Sequence, residues 1–210
     1  MVLRTALISL LVAIGGYLAA SWLTHDFRVW TEEGARRLEV ALAPVPLPDV
    51  ALQGTLLPAP TLAAAARGSV TIADFFYTRC QTVCLSLGST FQQLQAQLQA
   101  EPARAGAAPL RLLSLSFDGA HDSAPVLQAY ADKLGADADL WRFASVPDAV
   151  QQRALLERLG VVVIPDELGE FEHNAALLVF DTQGRMVRVF DLAEQELALN
   201  YARQLASKRS

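Results

Sequence analysis

The stretch 73–87, ADFFYTRCQTVCLSL, passes from a strand pattern into a helix pattern and contains both cysteines of the chain. The segment Val70 to Tyr77 is rich in β-branched and aromatic residues, which is typical of a buried strand. From Cys84 onwards apolar residues recur every three or four positions with glutamines between them, as in an amphipathic helix. The sequence therefore predicts a strand that leads directly into a helix, with the cysteines at the junction.

The spacing of the cysteines points to chemistry rather than to cross-linking. Cys80 and Cys84 are four residues apart, which places both on one face of a helical turn. The amides and dipole at a helix N-terminus favour a thiolate there, and such a pair can form a disulfide or bind a soft metal ion. Two cysteines are too few for a disulfide scaffold. Two buried apolar thiols, or one incidental disulfide, are the alternative interpretation.

Length and composition limit the class of protein. A chain of 210 residues that is 52% hydrophobic has room for one domain with a sizeable core plus accessory segments. The net charge of -5 and the pI near 5.2 argue against a nucleic-acid-binding protein, since no basic stripe accompanies them.

The N-terminus predicts a membrane segment. Ala6 to Leu23 carries no charged residue, and about 18 residues in a helix extend roughly 27 Å, enough to cross a bilayer core. A cleaved signal peptide is the alternative, since Leu18-Ala19-Ala20 resembles a cleavage site. The flanking basic residues do not fix the orientation. We expect a membrane anchor over residues 1–24 and a juxtamembrane segment with a Pro-rich spacer over 25–60.

The domain predicted over residues 61–210 alternates strands and helices. After the cysteine helix, strand patterns occupy Leu110–Phe117, Leu140–Ala144, Val161–Ile164, Ala175–Asp181 and Arg185–Asp191. Helix patterns begin after Ser123 and occupy Pro147–Leu159 and Leu192–Leu205. This order predicts an α/β fold, with a mixed sheet covered by helices on both faces. A cysteine pair at the end of the first core strand suggests a thioredoxin-like architecture.

Three histidines could complete a metal site with the two thiolates. His25 lies beside the membrane segment and is a poor candidate. His121 follows the second strong strand, at the sheet edge where sites of α/β proteins gather. His173 comes just before the strand pattern Ala175–Asp181, in an acidic loop that carries Asp166, Glu167, Glu170 and Glu172. The residues alone leave the choice open, because a lone histidine is more often a surface or capping residue.

Three runs of sequence resemble the Sco/SenC family of membrane-anchored copper proteins. They are DFFYTRCQTVC at 74–84, LSLSFDGAHDSAPVLQAYADKLGADADLWRFA at 113–144, and EFEHNAALLVFDTQGRMV at 170–187. The family marks are a Tyr-Thr-x-Cys-x-x-x-Cys motif after a strand, an Asp-x-x-x-Asp loop, and a late histidine before a strand. The resemblance extends from about Pro48 to Leu205.

The resemblance implies a ligand set. It identifies Cys80, Cys84 and His173 as ligands of a copper ion, and Asp118 and Asp122 as the acidic loop. The chain departs from the family where many members have proline after each cysteine, because Gln81 and Leu85 stand there. It also has Asp118-Gly119 in place of the usual Asp-Pro pair. These changes affect no ligand but bear on how the cysteine loop moves and which partner it meets.

The resemblance further implies a bacterial copper metallochaperone, anchored in the inner membrane, whose domain faces the periplasm. We expect it to receive copper from a donor protein and to pass it to the dinuclear copper centre of cytochrome c oxidase subunit II. The alternatives are a thiol-disulfide oxidoreductase that uses Cys80 and Cys84, and a copper or redox sensor. Whether the chain is an enzyme therefore stays open at this point.

Overall fold

The computed structural model describes residues 2–24, 26–27, 29–54, 56–80, 83–101, 106–165 and 171–208, with the side chains of residues 83–86 left out. The chain divides into two compact units, Met1–Leu42 and Ala43–Ser210. The helices are α1 (Val2–Leu23), α2 (Glu32–Leu42), α3 (Leu62–Ala66), α4 (Val83–Ala100), α5 (Ala124–Leu134), α6 (Ala149–Leu159) and α7 (Gln195–Ser207). The strands are β1 (Val45–Pro46), β2 (Gln53–Gly54), β3 (Val70–Phe76), β4 (Leu110–Ser116), β5 (Trp141–Ser145), β6 (Val163–Pro165), β7 (Phe171–His173), β8 (Leu177–Phe180) and β9 (Arg185–Phe190).

The first unit contains the apolar helix that the sequence predicts. Helix α1 has 22 residues and a mean hydropathy of 1.9 over its most apolar window. At about 1.5 Å per residue it is roughly 33 Å long, so its length and composition suffice for one bilayer crossing. Helix α2 follows in the same unit and begins with Glu32 and Glu33, which complement the dipole at its N-terminus.

The second unit is built on a mixed sheet. Within the described residues, seven strands lie in the order β1-β9-β8-β3-β4-β5-β2. The central strands β3, β4 and β5 are parallel, whereas β8 and β9 form an antiparallel hairpin against β3. All seven residues of β3 are buried, which explains its continuous apolar pattern. The α/β fold predicted from the sequence, a thioredoxin-like sheet flanked by helices, is confirmed.

Local signals fix the ends of several elements. Helix α6 begins after Asp148, whose side chain accepts a hydrogen bond from the Gln151 amide, and ends at Gly160 with a φ of 65°. The β8–β9 turn contains Gly184 with a φ of 75°, a conformation that glycine adopts without strain. The predicted C-terminal helix begins as a 3-10 turn, Leu192–Glu194, and continues as α7.

The Pro-rich segment packs on the sheet and does not behave as a spacer along its whole length. Strand β1 pairs with β9, and β2 pairs with β5, so the segment borders the sheet on both edges. Leu47 and Val50 are each only 6% exposed, which ties the connecting residues to the core. Short edge strands tolerate proline because one side needs no backbone donor. The compact unit that contains the sheet begins at Ala43.

The segment around His173 is also more ordered than predicted. His173 ends the three-residue strand β7, which pairs antiparallel with β6 and places His173 opposite Val163. The predicted strand Val161–Ile164 is observed as Val163–Pro165. Since β6 and β7 form their own two-stranded sheet, His173 lies on a hairpin rather than in a loop.

Candidate metal centre

The cysteine loop begins where two parallel strands end. Strand β3 ends at Phe76 and β4 ends at Ser116, so the segments that follow them both leave the sheet at the carboxyl ends of its parallel strands. The Phe117 amide donates to the Phe76 carbonyl at 3.0 Å, which keeps the two loops side by side. Sites in α/β sheets gather at this edge.

Asp122 ties the cysteine loop to the end of β4. Its carboxylate is fully buried and accepts hydrogen bonds from the Thr78 amide at 3.0 Å and from the Thr78 hydroxyl at 2.5 Å. The Ser116 hydroxyl donates to the same carboxylate at 2.5 Å. Three donors on one buried carboxylate hold the backbone two residues before Cys80. Asp122, which the resemblance places in the acidic loop, therefore positions the loop.

We expect Thr78→Val to lower the free energy of unfolding by about 1 to 2 kcal/mol, because Asp122 loses a donor while buried. Chemical denaturation with urea measures this loss. The matched variant Thr78→Ser keeps the hydroxyl and should recover most of the stability. Equal stability of wild type and Thr78→Val would show that the hydroxyl contributes nothing.

Asp118 neutralises the cation beside Cys80. Its carboxylate accepts a hydrogen bond from Arg79 Nη2 at 2.8 Å and lies 2.8 Å from Nδ1 of His121. Burial opposes ionisation of Asp118, but the hydrogen bonds from His121 and Arg79 outweigh it and hold the pKa of the carboxyl below its usual value. His121 is therefore engaged with Asp118 at the protein surface, with 60% of its side chain accessible.

An aromatic cluster joins the cysteine loop to the β6–β7 hairpin. The Tyr77 ring packs edge-on against Phe171, with ring centroids 5.1 Å apart, and its hydroxyl accepts a hydrogen bond from the Phe171 amide at 3.3 Å. Phe117 contacts both rings, with centroids 5.3 Å from Tyr77 and 5.6 Å from Phe171. Edge-to-face aromatic pairs of this kind add to the burial energy. The hairpin is thus docked against the residue three positions before Cys80.

The same cluster holds the imidazole of His173. Its ring packs edge-on against Phe117, with centroids 5.1 Å apart. Both ring nitrogens are buried and have no hydrogen-bond partner among the described residues. Burial lowers the pKa of His173, so the imidazole is neutral at physiological pH. Two buried ring nitrogens without a hydrogen-bond partner are costly unless they bind a ligand.

The structure describes the side chain of Cys80 but not that of Cys84. Cys80 is 8% exposed, and its amide donates to the Tyr77 carbonyl at 3.3 Å. Cys84 lies in the first turn of α4, and its side chain is outside the described residues. Within the described part of the chain no three His, Cys, Asp or Glu residues group closely enough to hold a metal ion. The ligand set Cys80, Cys84 and His173 thus stays a prediction. Phe117 contacts both His173 and Tyr77, the residue three positions before Cys80.

Some of the histidine and acidic residues considered in the sequence analysis are among those that the structure does not describe. His25, Asp166, Glu167 and Glu170 are among the residues that the structure does not describe, whereas Glu172 lies exposed in β7. Sequence reasoning missed the aromatic cluster of Tyr77, Phe117 and Phe171. The sequence could have indicated this cluster, since each of the three aromatic residues lies within three positions of a predicted ligand or acidic-loop residue.

Known proteins with related sequences and structures fall in one family. The family model of SCO1/SenC matches residues 59–207. A SCO1 protein homolog of Bacillus subtilis is 24% identical over 130 residues, which are 61% of this chain and 65% of that protein. The match thus spans slightly less than two thirds of that relative.

Solved structures show the same fold. BsSco, a member of the Sco family of cytochrome c oxidase assembly proteins in which a disulfide switch was identified, aligns with a TM-score of 0.65 and 18% identity. The alignment covers 79% of this chain and 95% of BsSco. Bradyrhizobium japonicum ScoI, solved with copper bound, aligns with a TM-score of 0.55 and 19% identity, over 68% of this chain and 88% of that one.

Proposed function

Because the chain belongs to the SCO1/SenC family, we propose that it is a copper metallochaperone for cytochrome c oxidase. Cys80, Cys84 and His173 bind the ion, which the protein receives from a donor protein. The protein then delivers the ion to the dinuclear copper centre of oxidase subunit II. A member of the family named for oxidase assembly and another solved with copper bound support this assignment.

His173 is the observation that carries the proposal. A neutral imidazole is the form that binds a metal ion, and partial burial of His173 lowers its pKa and so favours this form. Its nitrogens have no partner among the described residues, so the packing on Phe117 orients the ring without using its donor capacity. The side chain therefore fits a metal ligand better than a structural hydrogen-bonding group.

The donor set suits copper as cargo. Two thiolates and one imidazole are soft or intermediate donors, which favour Cu(I) over hard cations such as Mg²⁺ or Ca²⁺. Three protein donors leave access for a thiol or imidazole of a partner, so the ion can leave by ligand exchange. The hydrogen bonds from Thr78 to Asp122 hold the backbone that leads into Cys80.

The proposed location is the bacterial inner membrane, with α1 as a single-pass anchor and residues 43–210 on the periplasmic side. The length and apolar composition of α1 support the anchor. The family resemblance, and not the flanking charge, supports the orientation.

The proposal is tested by loading the reduced full-length protein, solubilised in detergent, with copper. We expect about one ion per chain, with sulfur and nitrogen neighbours in X-ray absorption, because thiolates select the soft ion. Cys80→Ser and Cys84→Ser should each abolish tight binding. A first coordination shell without sulfur would refute the ligand set, as would either serine variant that binds copper with wild-type affinity.

A further inference from the structure

A cavity lies at the end of the sheet opposite to the proposed copper site. It has a volume of about 340 Å³, and its wall includes Leu110, the first residue of β4, and Leu140, which precedes β5. Strand β4 has seven residues, so at about 3.3 Å per residue the cavity lies roughly 23 Å from the loop at the other end of that strand. Pockets of this volume bind small molecules. The cavity is therefore a candidate site separate from the proposed copper ligands.

Most of the cavity wall is apolar. Besides the two leucines, it contains Leu98 of α4, Ala206 of α7 and the Ala-Ala-Pro segment 107–109. The Ala108 amide donates to the Ala206 carbonyl at 2.9 Å, which fastens this segment to the end of α7. Burial of an alkyl chain contributes about 0.8 kcal/mol per CH₂ group. A preformed apolar wall of this kind suits the hydrocarbon chain of a ligand.

The charged side chains of the wall leave one cation without a carboxylate partner. Arg203 of α7 pairs with Glu101, which directly follows α4. Arg111 also lines the cavity but forms no ion pair among the described residues. Its guanidinium has one hydrogen bond there, from Nη1 to the carbonyl of Leu110 at 3.2 Å. A guanidinium carries five N–H donors, so Arg111 retains donors for an anionic group.

A second arginine adds positive charge beside Arg111. Arg142 lies opposite Leu113 in the β4–β5 register, and Arg111 is on the same face of β4 as Leu113, so the two arginines are diagonal neighbours. Burial and then the charge of Arg111 lower the pKa of Arg142, whereas Asp139 raises it. The Nε atom of Arg142 is buried without a partner among the described residues. This arrangement favours an oxyanion, since charge-assisted hydrogen bonds to guanidinium groups are strong.

The chain enters the sheet-containing unit at the same end of the sheet. The unit begins at Ala43, and β1 pairs Val45 with Met186 near the start of β9. Strand β8 ends at Phe180, which lies opposite Thr71 near the start of β3, so the β8–β9 turn and β1 lie where the parallel strands begin. For a protein with the membrane location proposed above, bilayer lipids are an abundant source of acyl chains.

We propose that this cavity binds a single acyl chain that carries an acidic headgroup, supplied as a free fatty acid or by an anionic membrane lipid. The chain lies against Leu98, Leu110 and Leu140, and the oxyanion accepts hydrogen bonds from the guanidinium of Arg111. The positive side chains disfavour a cationic amphiphile, and the apolar wall offers few hydrogen bonds to a sugar or a nucleotide. The site does not involve the proposed copper ligands, so its test is independent of copper binding.

The test uses the full-length protein in phosphatidylcholine nanodiscs and decanoic acid that carries a photoreactive diazirine on its chain. After irradiation, mass spectrometry of the digested protein locates the label, and label in α1 from probe dissolved in the bilayer serves as the internal standard. We expect strong labelling of peptides that contain Leu98, Leu110 or Leu140. Unlabelled decanoate should displace this label at least tenfold better than decanol, which lacks the charge. Equal displacement by decanol, or no label in these peptides, would overturn the proposal.

Matched variants identify the headgroup contact. Arg111→Gln should lower cavity labelling relative to α1 by roughly tenfold, because a charge-assisted hydrogen bond is lost, and Arg111→Lys should retain most of it. Arg153→Gln, which removes an exposed arginine of α6, should leave it unchanged. Should Arg111→Gln fail to fold, Leu98→Asp places a negative charge in the apolar wall and should abolish cavity labelling. Wild-type labelling in either Arg111→Gln or Leu98→Asp would contradict the proposed site.

The lipid composition of the nanodiscs separates the two sources of the ligand. Loss of cavity labelling when phosphatidylglycerol is added would support the proposal and identify a membrane lipid as the occupant. Labelling that persists with phosphatidylglycerol present, and that still depends on Arg111, would support it with a free fatty acid as the occupant.

Discussion

Replacement of His173 by alanine is expected to weaken copper binding by well over tenfold, or about 1.4 kcal/mol or more. The variant loses one of three proposed protein ligands. In the wild type the ring nitrogens of His173 make no hydrogen bond among the described residues, so the substitution breaks none there. The cysteines should still form and reduce a disulfide, because thiol exchange depends on thiolate pKa and access. Copper affinity is measured by competition with a Cu(I) chelator.

The same variant separates metal transfer from a purely redox role. In cells that lack the native gene and grow at limiting copper, His173→Ala should fail to assemble oxidase, as Cys80→Ser should. His121→Ala is the matched control, since that imidazole is 60% accessible and is bound to Asp118. Normal oxidase activity in His173→Ala, with both cysteine variants inactive, would favour the thiol-disulfide oxidoreductase.

The central sheet could be predicted because its signals are local and strong. The pattern Val70 to Tyr77 corresponds to β3, Leu110–Phe117 to β4, and the patterns Ala175–Asp181 and Arg185–Asp191 to the β8–β9 hairpin. Buried parallel strands have continuous apolar sequences, and a glycine indicates the turn between the two strands of a hairpin. These patterns are sufficient to predict a mixed sheet.

The short edge elements could not be predicted because tertiary contacts define them. Strand β1 has two residues and includes Pro46, and its pairing with β9 follows from the position of β9 rather than from a local pattern. Strand β7, Phe171–His173, has a charged residue at its centre. It is held by the contacts of Phe171 with Tyr77 and Phe117.

The sequence proposes which residues form the candidate site, but it does not predict what surrounds them. The residues Cys80, Cys84 and His173 follow from the resemblance, whereas the packing of His173 on Phe117 required the structure. Asp122 was expected in an acidic loop, yet it is fully buried and clamps the cysteine loop through Thr78. A pattern of charges along the chain does not distinguish a solvated loop from a buried carboxylate whose partners lie on another strand.

Asp74→Asn is expected to stabilise the protein above neutral pH and to have little effect in acid. Burial raises the pKa of Asp74 from 3.8 to about 7 in the folded state. The folded protein therefore keeps a proton that the unfolded chain loses, and stability falls as the pH rises from 3.8 through about 7. The difference between the two values corresponds to about 4 kcal/mol that ionised Asp74 costs above pH 7.

Asparagine has nearly the same shape and does not ionise, so it should remove this cost while it keeps the bond with Ser114. Urea unfolding at pH 8.5 should then show Asp74→Asn more stable than the wild type by up to about 4 kcal/mol, with the difference vanishing near pH 4. Asp181→Asn should instead be destabilised at pH 8.5, because the Asp181 carboxylate accepts hydrogen bonds from Arg185 and from the amide of Gln183. A gain from Asp74→Asn that is the same at pH 4 and pH 8.5 would mean that packing, and not the ionisation of Asp74, is responsible.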